Sequence, residues 1–146
     1  KTGEILSQWE NPNTTESMNA LSVNRNGDLL ALGAHTTSPT YTSSLYLWSP
    51  ETQTEPIKWM DAVDAPYNAT IAQFAFNPEG TLLAGCMREP REHIDRDVWI
   101  WDVESQKTVA ILNSFHDSVF SVVFSPDGTL LAYGGADGTI HLWGIP

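Results

Sequence analysis

"VVFSPDGTLLAYGGADGTIHLWG", residues 122–144, decides how this chain folds. It holds three alternating apolar runs separated by two turns. Pro126 presets φ for the first turn, Asp127 can accept a bond from the backbone ahead, and Gly128 tolerates positive φ. "TLLAYGG" then reads as a second strand, and "ADGT" as an Asp-Gly hairpin turn into a third, "TIHLWG". In the strand entering the first turn, Val119, Ser121 and Val123 alternate with Phe120, Val122 and Phe124. Both sets are largely apolar, which predicts burial on both faces.

The pattern recurs. "FNPEGTLLAG" at 76–85 repeats "FSPDGTLLAY" at 124–133, and "VNRNGDLLALG" at 23–33 is a weaker third copy. The turn glycines Gly27, Gly80 and Gly128 are spaced by 53 and 48 residues. The closing tryptophans Trp48, Trp101 and Trp143 are spaced by 53 and 42. A period of this size is the mark of a repeat architecture. After Trp48 and Trp101 come a polar turn and a fourth run, "SPETQTEPIKW" and "DVESQKTVAIL". The unit therefore has four strands, a to d. "KTGEILSQW" at 1–9 aligns with the d run of the middle unit. No window carries a helical period, and turn residues recur every eight to twelve positions, so the fold class is all-β.

These runs, above all "SPDGTLLAYGGADGTIHLW" and "NPEGTLLAG…DRDVWIWD", resemble the WD40 repeats of β-propellers. The resemblance covers essentially the whole chain and weakens from the third repeat to the first. It implies blades of four antiparallel strands around a central channel. Three blades' worth of chain is present: 1–10 as strand d of a preceding or closing blade, 15–60 and 68–113 as full blades, and 116–146 as strands a to c of a third. The family's structural hydrogen-bond network, carried over position by position, falls on His116, Asp137 and Trp143 in the third repeat. It falls on Asp95 and Trp101 in the second, with Asn68 at the His position, and on Trp48 alone in the first. The Trp-Asp pair survives once, as Trp101-Asp102. A structural role outweighs a catalytic one for these residues, because a buried indole N–H needs an acceptor.

A ring needs about four to eight blades, so the remaining blades are expected from the same, longer chain or from a second copy. The frame opens inside a strand d, without a starting Met, which favours an excerpt. Net charge is −11, from 18 acidic and 7 basic residues. That argues against nucleic-acid backbones and anionic membranes as partners. No apolar run is long enough to span a bilayer as a helix. Cys86 is the only cysteine; it forms no internal disulfide and reads as a small buried hydrophobe. The expected compartment is the cytoplasm. The triplets "NTT" at 13 and "NAT" at 68 carry no weight without a secretory route.

The b–c connections differ in length. From the second Leu of each "LL" pair to the closing Trp there are 18, 18 and 12 residues in the three repeats. The insertion "AHTTSPTYTSS" (34–44) is neutral and carries His35 and Tyr41. "MREPREHIDRD" (87–97) holds Arg88, Arg91, His93 and Arg96 among acids. Insertions on one face of a repeat array commonly mark its binding side, so these six residues are the candidates for gripping a protein or peptide partner. Self-cancelling charge in a solvated loop is the plainer account of 87–97. Glu89, Glu92, His93, Asp95 and Asp97 match no established metal spacing. The sequence contains none of the signatures for a nucleophilic serine, a phosphate loop or a zinc helix. No cofactor, metal or catalytic residue is expected. The resemblance implies a non-catalytic scaffold or sensor module for protein–protein interaction. The alternative is the propeller portion of an enzyme or of a periplasmic, transport-linked protein whose active part lies elsewhere.

Overall fold

The computed structural model describes residues 3–36, 42–61, 70–88, 97–112 and 118–145. Among them there is no helix. The strands are β1 (Glu16–Val23), β2 (Leu30–Thr36), β3 (Thr42–Trp48), β4 (Ile57–Asp61), β5 (Thr70–Phe76), β6 (Leu82–Arg88), β7 (Val98–Asp102), β8 (Lys107–Leu112), β9 (Val119–Phe124), β10 (Leu130–Gly135) and β11 (Ile140–Gly144). They form sheets β1-β2-β3-β4, β5-β6-β7-β8 and β9-β10-β11, each in chain order, with every neighbouring pair antiparallel. These are meanders of the kind that make WD40-type propeller blades.

The turn between the first two strands of each sheet is the same device three times. Gly27, Gly80 and Gly128 hold φ of 81°, 73° and 74°, where a side chain would be strained. Their amides donate to the carbonyls of Asn24, Asn77 and Ser125 at 3.1, 3.0 and 2.9 Å. The side chains of those same three residues accept from the amides of Leu29, Leu82 and Leu130 at 3.1, 2.8 and 3.0 Å. The weak first repeat thus keeps the turn while losing most of the family's side-chain network.

The first strand of each sheet also carries a β-bulge. The register slips between Met18 and Ala20 in β1, between Ile71 and Gln73 in β5, and opposite Gly134/Gly135 in β9. The extra residues Asn19, Ala72 and Phe120 stand 53 and 48 apart, the period of the turn glycines. β5 and β9 are also edges of their sheets, and side chains of the preceding sheet bond one backbone group on each. The Asn19 side chain donates to the Ile71 carbonyl at 2.6 Å. The Gln73 side-chain oxygen accepts from the Val122 amide at 3.1 Å.

The sheets stack as three layers through two cores. Ala31, Leu45 and Trp59 of the first sheet meet Phe74, Leu83 and Trp101 of the second. Ala84, Val98 and Ile100 of the second meet Val122, Leu131 and Tyr133 of the third. The middle sheet is therefore covered on both faces.

Two expectations change. β9 is not buried on both faces: Val119, Val122 and Phe124 are buried while Phe120, Ser121 and Val123 are exposed. The bulge at Phe120 resets the alternation, and no described residue forms a layer over the outer face of the last sheet. Residues 3–10 form no strand. Their expected neighbour is a strand c outside the first sheet, and that sheet already holds four strands of its own.

Candidate interaction surface

The first turns of adjacent sheets lie together. A Cβ on Gly80 would sit 3.5 Å from the Asn24 side chain, and one on Gly128 would sit 3.1 Å from the Glu79 carboxylate. Thr36 and Arg88, the last residues of β2 and β6, where the chain enters the two insertions, stand at the opposite ends of those strands. Of the candidates there, Tyr41, Arg91, His93 and Arg96 lie outside the described residues. Arg88 is described as the last residue of β6, opposite Thr70. His35 pairs with Ser17 and Ser43 on its two neighbours. Its Nδ1 is enclosed without a hydrogen-bond partner among the described residues. Asp97, where the second insertion returns to β7, is buried and has a partner.

The network residues separate in the structure. His116 and Asp95 lie outside the described residues. Trp101 is fully buried at the centre of an aromatic cluster. Trp59, Phe74 and Trp99 each stand 6.3 Å from it, the first two edge-on and the third stacked. Its ring lies over Gly85, where a Cβ would fall 2.7 Å from the indole. No hydroxyl can occupy that position of β6, and the indole N–H of Trp101 has no partner among the described residues. The Trp48 indole instead donates to the Gln53 carbonyl at 3.2 Å, within the turn that follows it. Trp143 is 47% exposed; among the described residues β11 is an edge strand with no fourth strand beyond it.

Asp137 organises its own hairpin. Its carboxylate accepts from the Thr139 amide at 2.9 Å and stands 3.7 Å from His141, whose ring stacks on Tyr133 at 5.2 Å. The Thr139 amide and hydroxyl, and then His141, hold the Asp137 carboxyl below its usual range. At the neighbouring turn, the Ser125 hydroxyl and the Thr129 amide and hydroxyl lower Asp127 to about 2. Burial raises the Cys86 thiol to about 11, which leaves almost no thiolate at neutral pH. No group of three or more metal-ligating side chains occurs among the described residues.

A polar cluster gathers at the start of β1. The Glu16 carboxylate, at the start of β1, accepts from Tyr46, Asn11 and Ser44 at 2.8, 3.0 and 3.4 Å. The Trp9 ring packs 6.3 Å from Tyr46. A single Glu ahead of a strand reads from sequence as solvated; nothing nearby announces its donors.

The two outer faces carry exposed apolar side chains. On the third sheet Val123, Ala132 and Leu142 share one face by register. Leu142 is 68% exposed there and Ile140 is 81% exposed. On the first sheet Leu21, Leu32 and Tyr46 share the corresponding face, with Leu21 62% exposed. Exposed apolar rows of this kind on adjacent strands mark contact surfaces.

Repeated four-strand meanders, recurrent bulges and turns, and apolar outer faces define a stack of propeller blades. The comparison with known families agrees: residues 106–144 match the family model described as "WD domain, G-beta repeat", which places a WD40 repeat in the chain. Among similar proteins, Protein ROOT INITIATION DEFECTIVE 3 of Arabidopsis thaliana is 35% identical over 75 residues, 51% of this chain and 16% of that protein. WD repeat-containing protein VIP3, also of Arabidopsis thaliana, is 32% identical over 74 residues, 50% of this chain and 21% of that protein. Small ribosomal subunit protein RACK1y of Oryza sativa subsp. japonica is 41% identical over 51 residues, 35% of this chain and 15% of that protein. The matches thus span no more than about a fifth of these relatives.

Proposed function

We propose that these blades belong to a larger WD40-type propeller that serves as a non-catalytic module for protein–protein interaction. The observation that carries the reading is the exposure of Leu21 on the outer face of the first sheet and of Ile140 and Leu142 on that of the third, against a middle sheet covered on both sides. The fold is built to be flanked by further blades, and the closed ring then presents loop faces to partners. Similarity to WD-repeat proteins supports this reading. The insertions at 34–44 and 87–97 are the proposed recognition loops, with a protein or peptide as partner. Reversing the charge of Arg88, Arg91 and Arg96 together is expected to weaken partner capture by the intact protein, with melting temperature unchanged. Undiminished capture would remove the 87–97 loop from the interface.

A further inference from the structure

At the end opposite those insertions, the three first turns enclose a groove of about 420 Å³. Val23, Phe76 and Phe124, the last residues of β1, β5 and β9, line it, and Pro78 and Pro126 extend its apolar wall. Two of its three polar side chains are already engaged. Asn77 accepts from the Leu82 amide at 2.8 Å and donates to Glu79 and Thr81 at 3.1 and 3.0 Å. Ser125 donates to Asp127 at 2.5 Å and accepts from the Leu130 amide at 3.0 Å. The third, Arg25, is exposed and has no hydrogen bond or ion pair among the described residues. The groove therefore offers a ligand an apolar wall and one free guanidinium, a fork suited to a carboxylate.

We propose that this groove receives an extended segment of a partner protein in which one carboxylate side chain neighbours an apolar one. The carboxylate pairs with Arg25, and the apolar side chain rests on Phe76, Phe124 and the two prolines. A single carboxylate fits better than an acidic run, because Asp28, Glu79 and Asp127 stand in the same turns. Each is hydrogen-bonded within its own turn and none pairs directly with Arg25, while their charges remain and oppose a second acidic group on the ligand. The proposal rests on the interaction-module reading and adds to it a second site and a ligand chemistry.

The test uses the intact protein and a short fluorescein-labelled peptide of leucine and alanine with one central glutamate, followed by fluorescence anisotropy. Replacing that glutamate by glutamine is expected to weaken binding by roughly two- to fivefold, the scale of an exposed ion pair. Arg25→Glu is expected to invert the preference, so that a lysine peptide binds better than the glutamate one. Arg25 is exposed at a turn, so the variant should fold, and an unchanged melting temperature verifies this. Equal binding of the three peptides, no binding of the glutamate peptide, or an unchanged order with Arg25→Glu would overturn the proposal. Affinity capture separates this failure from that of the broader reading. Partners held equally by wild type and Arg25→Glu would sink the groove alone; no partner held by either would sink both.

Discussion

At the scale of single residues, the structure ranks the three closing tryptophans, which look equivalent in sequence. Trp101 is fully buried and ringed by three aromatics, so Trp101→Ala is expected to cost about 3–5 kcal/mol, as for large aromatic truncations in cores. Trp143→Ala should cost clearly less, since that ring sits half-exposed on an edge strand. Denaturant melts of the two variants decide the order; equal losses would mean that β11 is covered in solution. Gly85→Ala should also destabilise, by about 1–3 kcal/mol, because the new methyl would press into the Trp101 ring. Acid acts on the turns. Asp127 titrates near 2 in the folded chain and near 3.9 when unfolded. A lowered carboxylate contributes stability above its unfolded value and loses that contribution as pH falls through the folded one. The Asp127 share should therefore fade between about pH 4 and pH 2 and be absent from Asp127→Asn. A carboxyl NMR titration of Asp127 with a midpoint near 4 would refute it.

At the scale of strands and turns, the sequence carried the all-β class, the four-strand unit and the positions of the turns. Those features have local causes: Gly at positive φ, Pro and Asx at turn starts, alternation along each run. The bulges were not legible, although they repeat with the same period, because Asn19, Ala72 and Phe120 share no residue type. The side-chain clamps between sheets were hidden for a related reason. Asn19 and Gln73 look like ordinary polar interruptions of apolar strands, and their partners lie 52 and 49 residues away. Of the interaction surface, the sequence showed the insertions but neither the groove, which three separate turns build together, nor the Glu16 cluster. The clamps are testable as elements of inter-sheet adhesion. Gln73→Ala strands the Val122 amide, and a stranded buried donor costs about 1–3 kcal/mol. Asn19→Ala, which leaves the Ile71 carbonyl, should cost less, since a carbonyl tolerates undersatisfaction better. The two act at different sheet interfaces and should add within about 0.5 kcal/mol. Equilibrium unfolding of both singles and the double measures this, and a neutral Gln73→Ala would show that water replaces the side chain.

At the scale of the whole molecule, the three layers leave unsatisfied surface in three places. The outer faces of the first and third sheets expose Leu21, Ile140 and Leu142, and among the described residues β11 has one free edge and residues 3–10, with Leu6 94% exposed, join no strand. An open edge next to exposed apolar side chains invites another strand. Three blades cannot bring their own ends together, because a ring needs more of them. In a complete propeller, the expected occupants are neighbouring blades, with residues 3–9 pairing a strand c other than β3. For the 146-residue chain produced alone, the available substitute is a second copy. The expected product is a dimer of six blades in which each N-terminal segment lies along the partner copy's β11. Light scattering should then give twice the chain mass, and Leu142→Glu, which puts a charge on the contact face, should return the monomer without unfolding it. Hydrogen exchange supplies the finer reading: amides of residues 4–8 should be protected in the dimer and exchange freely in the Leu142→Glu monomer. A wild-type monomer with those amides protected would mean that the segment closes on its own chain and that the outer faces are covered in another way.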